Sequence, residues 1–328
     1  MKNQKAFPGV GGFPCLTPRD QYPDGVYYLN SARSCLHQFL KAAKPEIVYF
    51  PRFVCPSFLS YANRLDIKFE FYSIDEHFLP LVSDLSVANT NSLIVYVNYF
   101  GICSAQVEYV INKFGRQRVI IDNSQSYSFE KENSLATIYS PRKFFPLSDG
   151  GILFSDLKVD LCAEFSSINL NYFEEKIRGH HDIAYASFKT SENELAAMGP
   201  LALGEYSLRL LESFLSDKHL LTMRETFFRE LDELFGSKNL IKYAFDSKNK
   251  NFPLCYPLQT TVAIPASKLV EKKVFSAVYW PTLNDSELNN FELKLKNQTI
   301  FLPLSNIRDR GDFEFLIETM SDLLSDQI

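Results

Sequence analysis

Two side chains of this sequence are placed to do chemistry together. An apolar strand-like run, Val-Ile-Ile at 119–121, ends on Asp122, and Lys143 follows in the next irregular, proline- and glycine-containing stretch. Ligands of open α/β sheets bind outside the carboxyl ends of the strands, where Asp122 is expected. An acid and an amine would therefore meet at a ligand site. Each also has an ordinary explanation, since an Asp after a strand is often a helix cap and a loop Lys is usually a solvated charge.

Several common catalytic and phosphate-binding motifs are missing. The sequence contains no GxxxxGK[ST] loop and no GxSxG elbow, which disfavours a P-loop nucleotide site and a serine hydrolase of the elbow type. The glycine-rich run at 9–12 lacks the preceding strand that a dinucleotide fingerprint requires.

Composition and charge exclude further classes. With 328 residues, 46% hydrophobic and 22% charged, the chain is an ordered globular protein. Its net charge of −5 gives no positive excess for nucleic acid. The longest apolar run, 93–97, stops at Asn98, far short of the ~20 residues of a membrane span. The opening residues are too broken by Pro and Gly for a secretory signal, and the expected compartment is the cytoplasm.

Cysteines and histidines give no metal signature. The six cysteines, at 15, 35, 55, 103, 162 and 255, form no CxxC pair, so we expect free thiols and neither a zinc site nor a redox dithiol. The adjacent His180 and His181 would point apart in either a strand or a helix. We therefore expect no metal.

Strand-like and helix-like segments alternate in the first half of the chain. We predict strands at 46–50, 68–72, 93–97 and 118–122, and helices at 34–43 (capped by Asn30-Ser31), 56–65 and 105–114. Apolar strands alternating with helices are typical of a mostly parallel sheet with helices on both faces. The predicted fold class is α/β.

A second lobe is expected after residue 200. A hairpin at 135–139 and 151–154 leads to a helical region that opens at 192 and continues through 201–234. Strands at 258–264, 274–280 and 299–303 then precede a C-terminal helix at 311–324. This pattern predicts a larger domain, 1–200, and a smaller α+β domain, 201–328.

Separated motifs between about residues 28 and 200 resemble the DegT/DnrJ/EryC1/StrS family of pyridoxal-phosphate-dependent aminotransferases, mostly sugar aminotransferases of the aspartate aminotransferase fold (fold type I). The matching segments are Asn30 to Leu36 (family SGTAAL), Pro51-Arg52-Phe53-Val54-Cys55 (P-x-x-T-[FW]-V-A), Asn98-Tyr99-Phe100-Gly101 (H-x-[YF]-G), Ile121 to Ser126 ([IV]-E-D-A-A-Q-[AS]), Lys143 with Asp149-Gly150-Gly151 (K-x5-[ED]-G-G) and Ser191 to Gly199 (M-S-x-[IL]-x-A-A-[IL]-G).

The resemblance implies a role for each matching residue. Lys143 would form the Schiff base with pyridoxal 5'-phosphate, Asp122 would pair with the pyridine nitrogen, and Gln125 would bind the ring hydroxyl oxygen. Phe53 would stack on the ring. The phosphate would be held at the start of the first helix, a natural anion site, by Ala32, Arg33, Ser34 and Ser140.

The sequence also departs from the family. Ala32-Arg33 replaces a Gly-Thr pair, Ser140 is closer to the lysine than the family's phosphate-binding serine, and no Asn-x-Arg segment is recognisable at 185–190.

The resemblance implies a homodimer and transfer of an amino group from a donor such as glutamate to a nucleotide-linked keto sugar. Three alternatives remain: another reaction on the same cofactor, such as a lyase or dehydratase reaction; a non-catalytic role with the cofactor bound; and a cofactor-free binding protein. Arg308 and Arg310 are candidates for binding a donor carboxylate or a diphosphate, or are surface arginines.

Overall fold

The computed structural model describes residues 23–85, 91–216, 219–242, 252–305, 307 and 309–325. Its centre is a seven-stranded sheet of order β1-β8-β7-β5-β4-β2-β3. The strands are β1 Val26–Leu29, β2 Ile47–Pro51, β3 Lys68–Tyr72, β4 Ser92–Val97, β5 Val119–Asn123, β6 Ser126–Tyr127, β7 Ala136–Tyr139, β8 Gly151–Ser155, β9 Phe252–Pro253, β10 Cys255–Gln259 and β11 Thr299–Pro303.

The central sheet is mostly parallel, as predicted. Strands β2, β3, β4, β5 and β7 run parallel, whereas β8 pairs antiparallel with both β7 and β1. Every residue of β4 and β5 is buried, which explains the apolar runs at 93–97 and 119–121 within them. The predicted hairpin is the β7–β8 pair.

Helices flank the sheet, with α1 packed on β7 and β8 and α3 on β5. The helices are α1 Ala32–Ala43, α2 Pro56–Leu59, α3 Ser104–Phe114, α4 Asn171–Ile177, α5 His181–Ala197, α6 Glu205–Ser216, α7 His219–Phe235, α8 Ala266–Glu271, α9 Asn290–Gln298 and α10 Arg310–Ser325. Ser31 caps α1, its side chain accepting a hydrogen bond from the Ser34 N–H, as the sequence predicted.

Several predicted elements were wrong. Residues 192–197 end a helix that begins at His181 and do not open one, and the predicted helix at 56–65 is the short α2 followed by a 3₁₀ turn, Ala62–Arg64. The long region 201–234 contains two helices, α6 and α7. The run 274–280 is not a strand: its one described ladder contact is a bridge from Ala277 to Phe301.

The C-terminal part packs onto the large sheet through a shared apolar core. Strands β10 and β11 pair antiparallel, and Leu302 and Phe313 belong to the same buried cluster as β4 and β5. Polar contacts join the two parts as well, since Glu292 of α9 accepts a hydrogen bond from the Ile74 N–H at 3.0 Å. The domain boundary near residue 200 stays a prediction.

Within the described residues, no helix is long and apolar enough to cross a membrane. The same residues contain no group of three or more His, Cys, Asp or Glu side chains that could hold a metal ion. Five cysteines are free thiols and Cys15 lies outside the described residues.

Candidate active site

Asp122 and Lys143 lie at the same edge of the sheet. Strand β5 carries Asp122 near its carboxyl end and is paired in parallel with β7, which ends at Tyr139 just before the turn Pro141–Lys143. Burial raises the pKa of both Asp122 and Cys255, and the charge of Lys143 acts in the opposite direction on each. The Lys143 side chain itself is exposed. The two residues therefore share one edge of the sheet, and their joint role at a ligand site stays a prediction.

Asp122 is a buried carboxyl group, only 6% exposed. Burial raises its pKa, while hydrogen bonding from the Ser124 side chain and the charge of Lys143 act in the opposite direction. Its Oδ1 also accepts a hydrogen bond from the Ser124 N–H at 2.9 Å. A carboxylate withdrawn from water in this way is stabilised when a cationic group is brought against it.

Gln125 is held by the turn that follows β4. The Phe100 N–H donates to Gln125 Oε1 at 2.9 Å, whereas Nε2 is buried and has no hydrogen-bond partner among the described residues. Phe100 has a left-handed backbone (φ 56°), and a Cβ on Gly101 would lie 2.8 Å from the Gln125 carbonyl oxygen. The turn therefore needs a glycine here, and it orients an amide with a free donor.

The first turn of α1 packs against the start of β8. A Cβ on Gly151 would lie 2.4 Å from both the carbonyl carbon and the oxygen of Ser31, so only glycine permits this approach. Ser34 points inward: its hydroxyl donates to Asn30 Oδ1 at 2.5 Å and lies 2.8 Å from Ser31 Oγ. Ala32 is also buried, which leaves the half-buried Arg33 as the predicted phosphate residue with a side chain toward solvent.

Arg142, which the sequence analysis did not single out, lies beside Arg33. Burial, with a smaller contribution from the charge of Arg33, lowers its pKa to about 10. Glu192 of α5 forms an ion pair with Arg142, and the Arg33 guanidinium lies 5.7 Å from the centre of the Tyr61 ring. Two cationic side chains thus converge near the N-terminus of α1, a favourable place for an anion.

The segment around Lys143 is anchored on both sides. Phe144 and Phe145 are buried in a second apolar cluster, and the Arg224 guanidinium, 5.1 Å from the Phe144 ring centre, donates to the Phe144 carbonyl oxygen at 3.1 Å. Ser140 is buried, and its carbonyl accepts a hydrogen bond from the Lys143 N–H at 3.1 Å. The lysine is therefore presented from a well-fixed backbone.

Asp149 of the matched D-G-G segment connects distant parts of the chain by hydrogen bonds. Its carboxylate accepts hydrogen bonds from the hydroxyls of Ser166 and Ser207 and from the Gly204 N–H, the last at 3.0 Å. These contacts fasten the 164–207 region to the base of the site. The sequence motif could not show this, because all three partners lie far along the chain.

Phe53 is fully buried, at 0% exposure, and its ring is covered. The indole of Trp280 lies edge-on at 4.6 Å between ring centres, and Tyr99 lies at 6.1 Å on a tilted plane. Trp280 was expected in a strand and not at the site.

Arg310 lies on the surface, where it pairs with Glu230 at 2.5 Å and Glu314 at 3.1 Å. Its guanidinium is thus engaged by carboxylates of the chain, as expected for a surface arginine. Arg308 lies outside the described residues.

Comparison with known proteins identifies the fold of this chain. No family model and no curated protein matches the sequence. Solved structures with a similar fold were found. One is a DegT DnrJ EryC1 StrS aminotransferase from Brucella abortus, which is 13% identical with a TM-score of 0.62; the match covers 91% of this chain and 85% of that protein's chain. The fold is that of these aminotransferases.

Other structures with the aminotransferase fold agree. The sugar aminotransferase CalS13 from Micromonospora echinospora is 14% identical, with a TM-score of 0.59 and coverage of 90% of this chain and 87% of its own. The PLP form of Spr1654 from Streptococcus pneumoniae is 16% identical, with a TM-score of 0.65 and coverage of 92% and 88%. Spr1654 has also been solved in a PMP form. The α/β fold class expected from the sequence is thus confirmed over most of the chain.

Proposed function

We propose that this chain is a pyridoxal-phosphate-dependent aminotransferase of the DegT/DnrJ/EryC1/StrS type. The observation that carries the proposal is the meeting of an accessible lysine, a buried carboxyl group and a buried amide with a free donor at one edge of the sheet, in Lys143, Asp122 and Gln125. Lysine, carboxylate and hydrogen-bond donor are the groups that the aldehyde, the pyridine nitrogen and the ring hydroxyl of this cofactor require.

The residues present fit the cofactor. Gln125 Nε2 is an orphaned donor, and leaving such a group buried without a partner costs free energy unless a ligand oxygen accepts from it. Burial is the main cause of the lowered pKa of Arg142, and repulsion by the neighbouring Arg33 adds to it. A phosphate at the N-terminus of α1 would relieve that repulsion. The covered ring of Phe53 and the inward-pointing hydroxyl of Ser34 do not offer a contact as they stand.

When bound, pyridoxal phosphate supplies an electron sink for reaction at the α-carbon of an amino acid. Lys143 Nζ would be the point of attachment and would move a proton to and from the substrate carbon, for which its exposed position allows access. Asp122 would keep a proton on the pyridine nitrogen through a charge-assisted hydrogen bond. Gln125 would donate to the ring oxygen, and Arg33 with Arg142 would bind the phosphate.

The proposed substrates are an amino acid donor such as glutamate and a nucleotide-linked keto sugar as acceptor. Support comes from the similarity to CalS13, a sugar aminotransferase. We also propose a homodimer, since large apolar side chains are exposed along 161–188, including Leu161, Phe165, Ile177 and Ile183. Sedimentation of the cofactor-loaded protein tests the dimer, and a monomer with full activity would exclude it.

A half-reaction tests the proposed function. The loaded protein is mixed with L-glutamate alone, and the cofactor is then extracted and identified by chromatography. Conversion of pyridoxal phosphate to pyridoxamine phosphate, with 2-oxoglutarate formed in equal amount, is expected. No conversion with any amino acid would favour the non-catalytic alternative, to which the covered face of Phe53 lends some support.

A further inference from the structure

Trp280 is the single tryptophan of the chain, and it packs against Phe53, the residue that the family resemblance assigns to stacking on the cofactor ring. It belongs to the segment 274–280 between α8 and α9. Its indole contacts Phe53 edge-on, with ring centres 4.6 Å apart and an interplanar angle of 65°, and it lies 6.4 Å from the ring of Tyr99. Burial raises the pKa of Tyr99, and the charge of Asp122 adds to the rise.

The two rings leave no room for a third between them. Carbon atoms in contact are about 3.5–4 Å apart, so a flat ring stacked between two others needs roughly twice that separation. The Phe53 and Trp280 centres are 4.6 Å apart. Phe53 therefore has either the indole or a ligand ring on this side.

The segment that carries Trp280 has both anchored and exposed residues. Tyr279 packs on Phe301 with ring centres 4.5 Å apart, and the Leu283 N–H donates to the Trp280 carbonyl oxygen at 3.1 Å. Ser276 Oγ donates to the Phe301 carbonyl at 3.0 Å and accepts from the Phe301 N–H at 3.1 Å. Beyond that anchor, Val278 is 56% exposed and Phe275 is 71% exposed.

The backbone of Trp280 is strained. Its φ is +52°, a left-handed conformation that is unfavourable for a bulky side chain, and the next residue is Pro281. Strain of this kind is characteristic of ligand clamps and switch regions.

We propose that Trp280 is a cap on the cofactor site: it packs on Phe53, and a cofactor ring that stacks on Phe53 displaces it. This inference rests on the proposed function, because it presupposes that pyridoxal phosphate binds at Lys143. Binding of pyridoxal phosphate then costs the free energy of the Trp280–Phe53 contact. After binding, Trp280 lies at the mouth of the site.

Because Trp280 is the only tryptophan, the tryptophan fluorescence of the protein reports the surroundings of this one residue. Excitation at a wavelength that tyrosine does not absorb gives emission from Trp280 alone, and acrylamide quenching is followed by fluorescence lifetime before and after loading with pyridoxal phosphate. The lifetimes separate collisional access from energy transfer to the cofactor. A higher quenching rate constant in the loaded protein is expected, because the indole leaves its contact with Phe53.

Variants give an independent readout. Trp280→Ala should bind pyridoxal phosphate about three- to tenfold more tightly, which corresponds to the usual strength of one aromatic pair, and Trp280→Phe should lie in between. Phe275→Ala, which removes an exposed ring from the same segment, is the matched control and should leave the dissociation constant unchanged.

The outcomes separate the two proposals. Failure of the protein to take up pyridoxal phosphate, seen as no absorbance and no borohydride-fixed label, would overturn the proposed function and this inference with it. Uptake at Lys143 with an unchanged quenching constant, or with unchanged or weaker binding by Trp280→Ala, would overturn the cap alone.

Discussion

The Phe100 N–H donates to the Gln125 side chain at 2.9 Å, and this contact decides which end of the amide is which. The atom facing an N–H must be the oxygen, so the other end is the NH₂ group. That NH₂ is buried without a partner among the described residues. A turn that was matched only as a sequence pattern therefore fixes the Gln125 amide and leaves its donor free.

Gln125→Glu should weaken the binding of pyridoxal phosphate by tenfold or more. The new side chain still accepts from Phe100, but it replaces the free donor with a second carboxylate near Asp122, and a lost hydrogen bond to a charged oxygen is worth about 1.5–3 kcal/mol. Equilibrium titration by absorbance measures the change, with the far-ultraviolet circular dichroism confirming the fold. An unchanged dissociation constant would show that Gln125 does not face the cofactor.

Asp122→Asn should stabilise the cofactor-free protein at neutral pH. Burial raises the pKa of Asp122, so folding favours its protonated form, and the folded state loses stability as the pH rises through that pKa. A neutral Asn avoids this loss and can still accept from the Ser124 N–H. The gain in Tm should be present at pH 7 and should shrink as the pH falls toward the ordinary Asp value of about 3.9.

The same substitution at Asp149 is the matched control. Asp149 accepts hydrogen bonds from Ser166, Ser207 and Gly204, and an Asn there would place an NH₂ group against donors. Asp149→Asn should therefore lower Tm at pH 7. A fall in Tm for both variants would mean that Asp122 is also a structural carboxylate and would remove the reason for its proposed role.

Arg142→Met should reduce the preference of the protein for pyridoxal phosphate over pyridoxal. Arg142 lies beside Arg33 at the start of α1, and a charge-assisted contact to phosphate is worth about a factor of ten. Dissociation constants for both ligands give the ratio, which should fall about tenfold while pyridoxal itself binds as before. Arg64→Met, at an exposed guanidinium 4.9 Å from the Tyr61 ring centre, is the control. An equal loss of affinity for both ligands would indicate a role in folding and not in phosphate binding.

Local sequence signals predicted those parts of the candidate site that depend on residues close together in the chain. The apolar strand ending at Asp122, the Ser31 cap of α1 and the hairpin leading to Gly151 all follow from periodicity and capping, and the structure has each of them. The order of the motifs along the chain was enough to indicate the aminotransferase fold. Such signals are short-range, which is why they survive at low sequence identity.

The missed features depend on contacts distant in sequence. The pairing of Arg142 with Glu192, the hydrogen bonds to Asp149 and the packing of Trp280 on Phe53 join residues that no periodicity relates. The predicted start of α5, at residue 192, was too late. Few residues of this helix are buried, so its sequence has only a weak apolar pattern. The run 274–280 looked like a strand because it is apolar, but Phe275 and Val278 are exposed and Trp280 is left-handed.

The central claim is that Lys143 carries the cofactor, and chemical fixation tests it most directly. The protein is incubated with pyridoxal phosphate, reduced with borohydride and mapped by peptide mass spectrometry, alongside Lys143→Ala and, as a control, Lys113→Ala at an exposed lysine of α3. We expect one phosphopyridoxyl label, on Lys143, in the parent and in Lys113→Ala, and neither label nor visible absorbance in a folded Lys143→Ala. A label on a different lysine, or undiminished labelling of Lys143→Ala, would contradict the account.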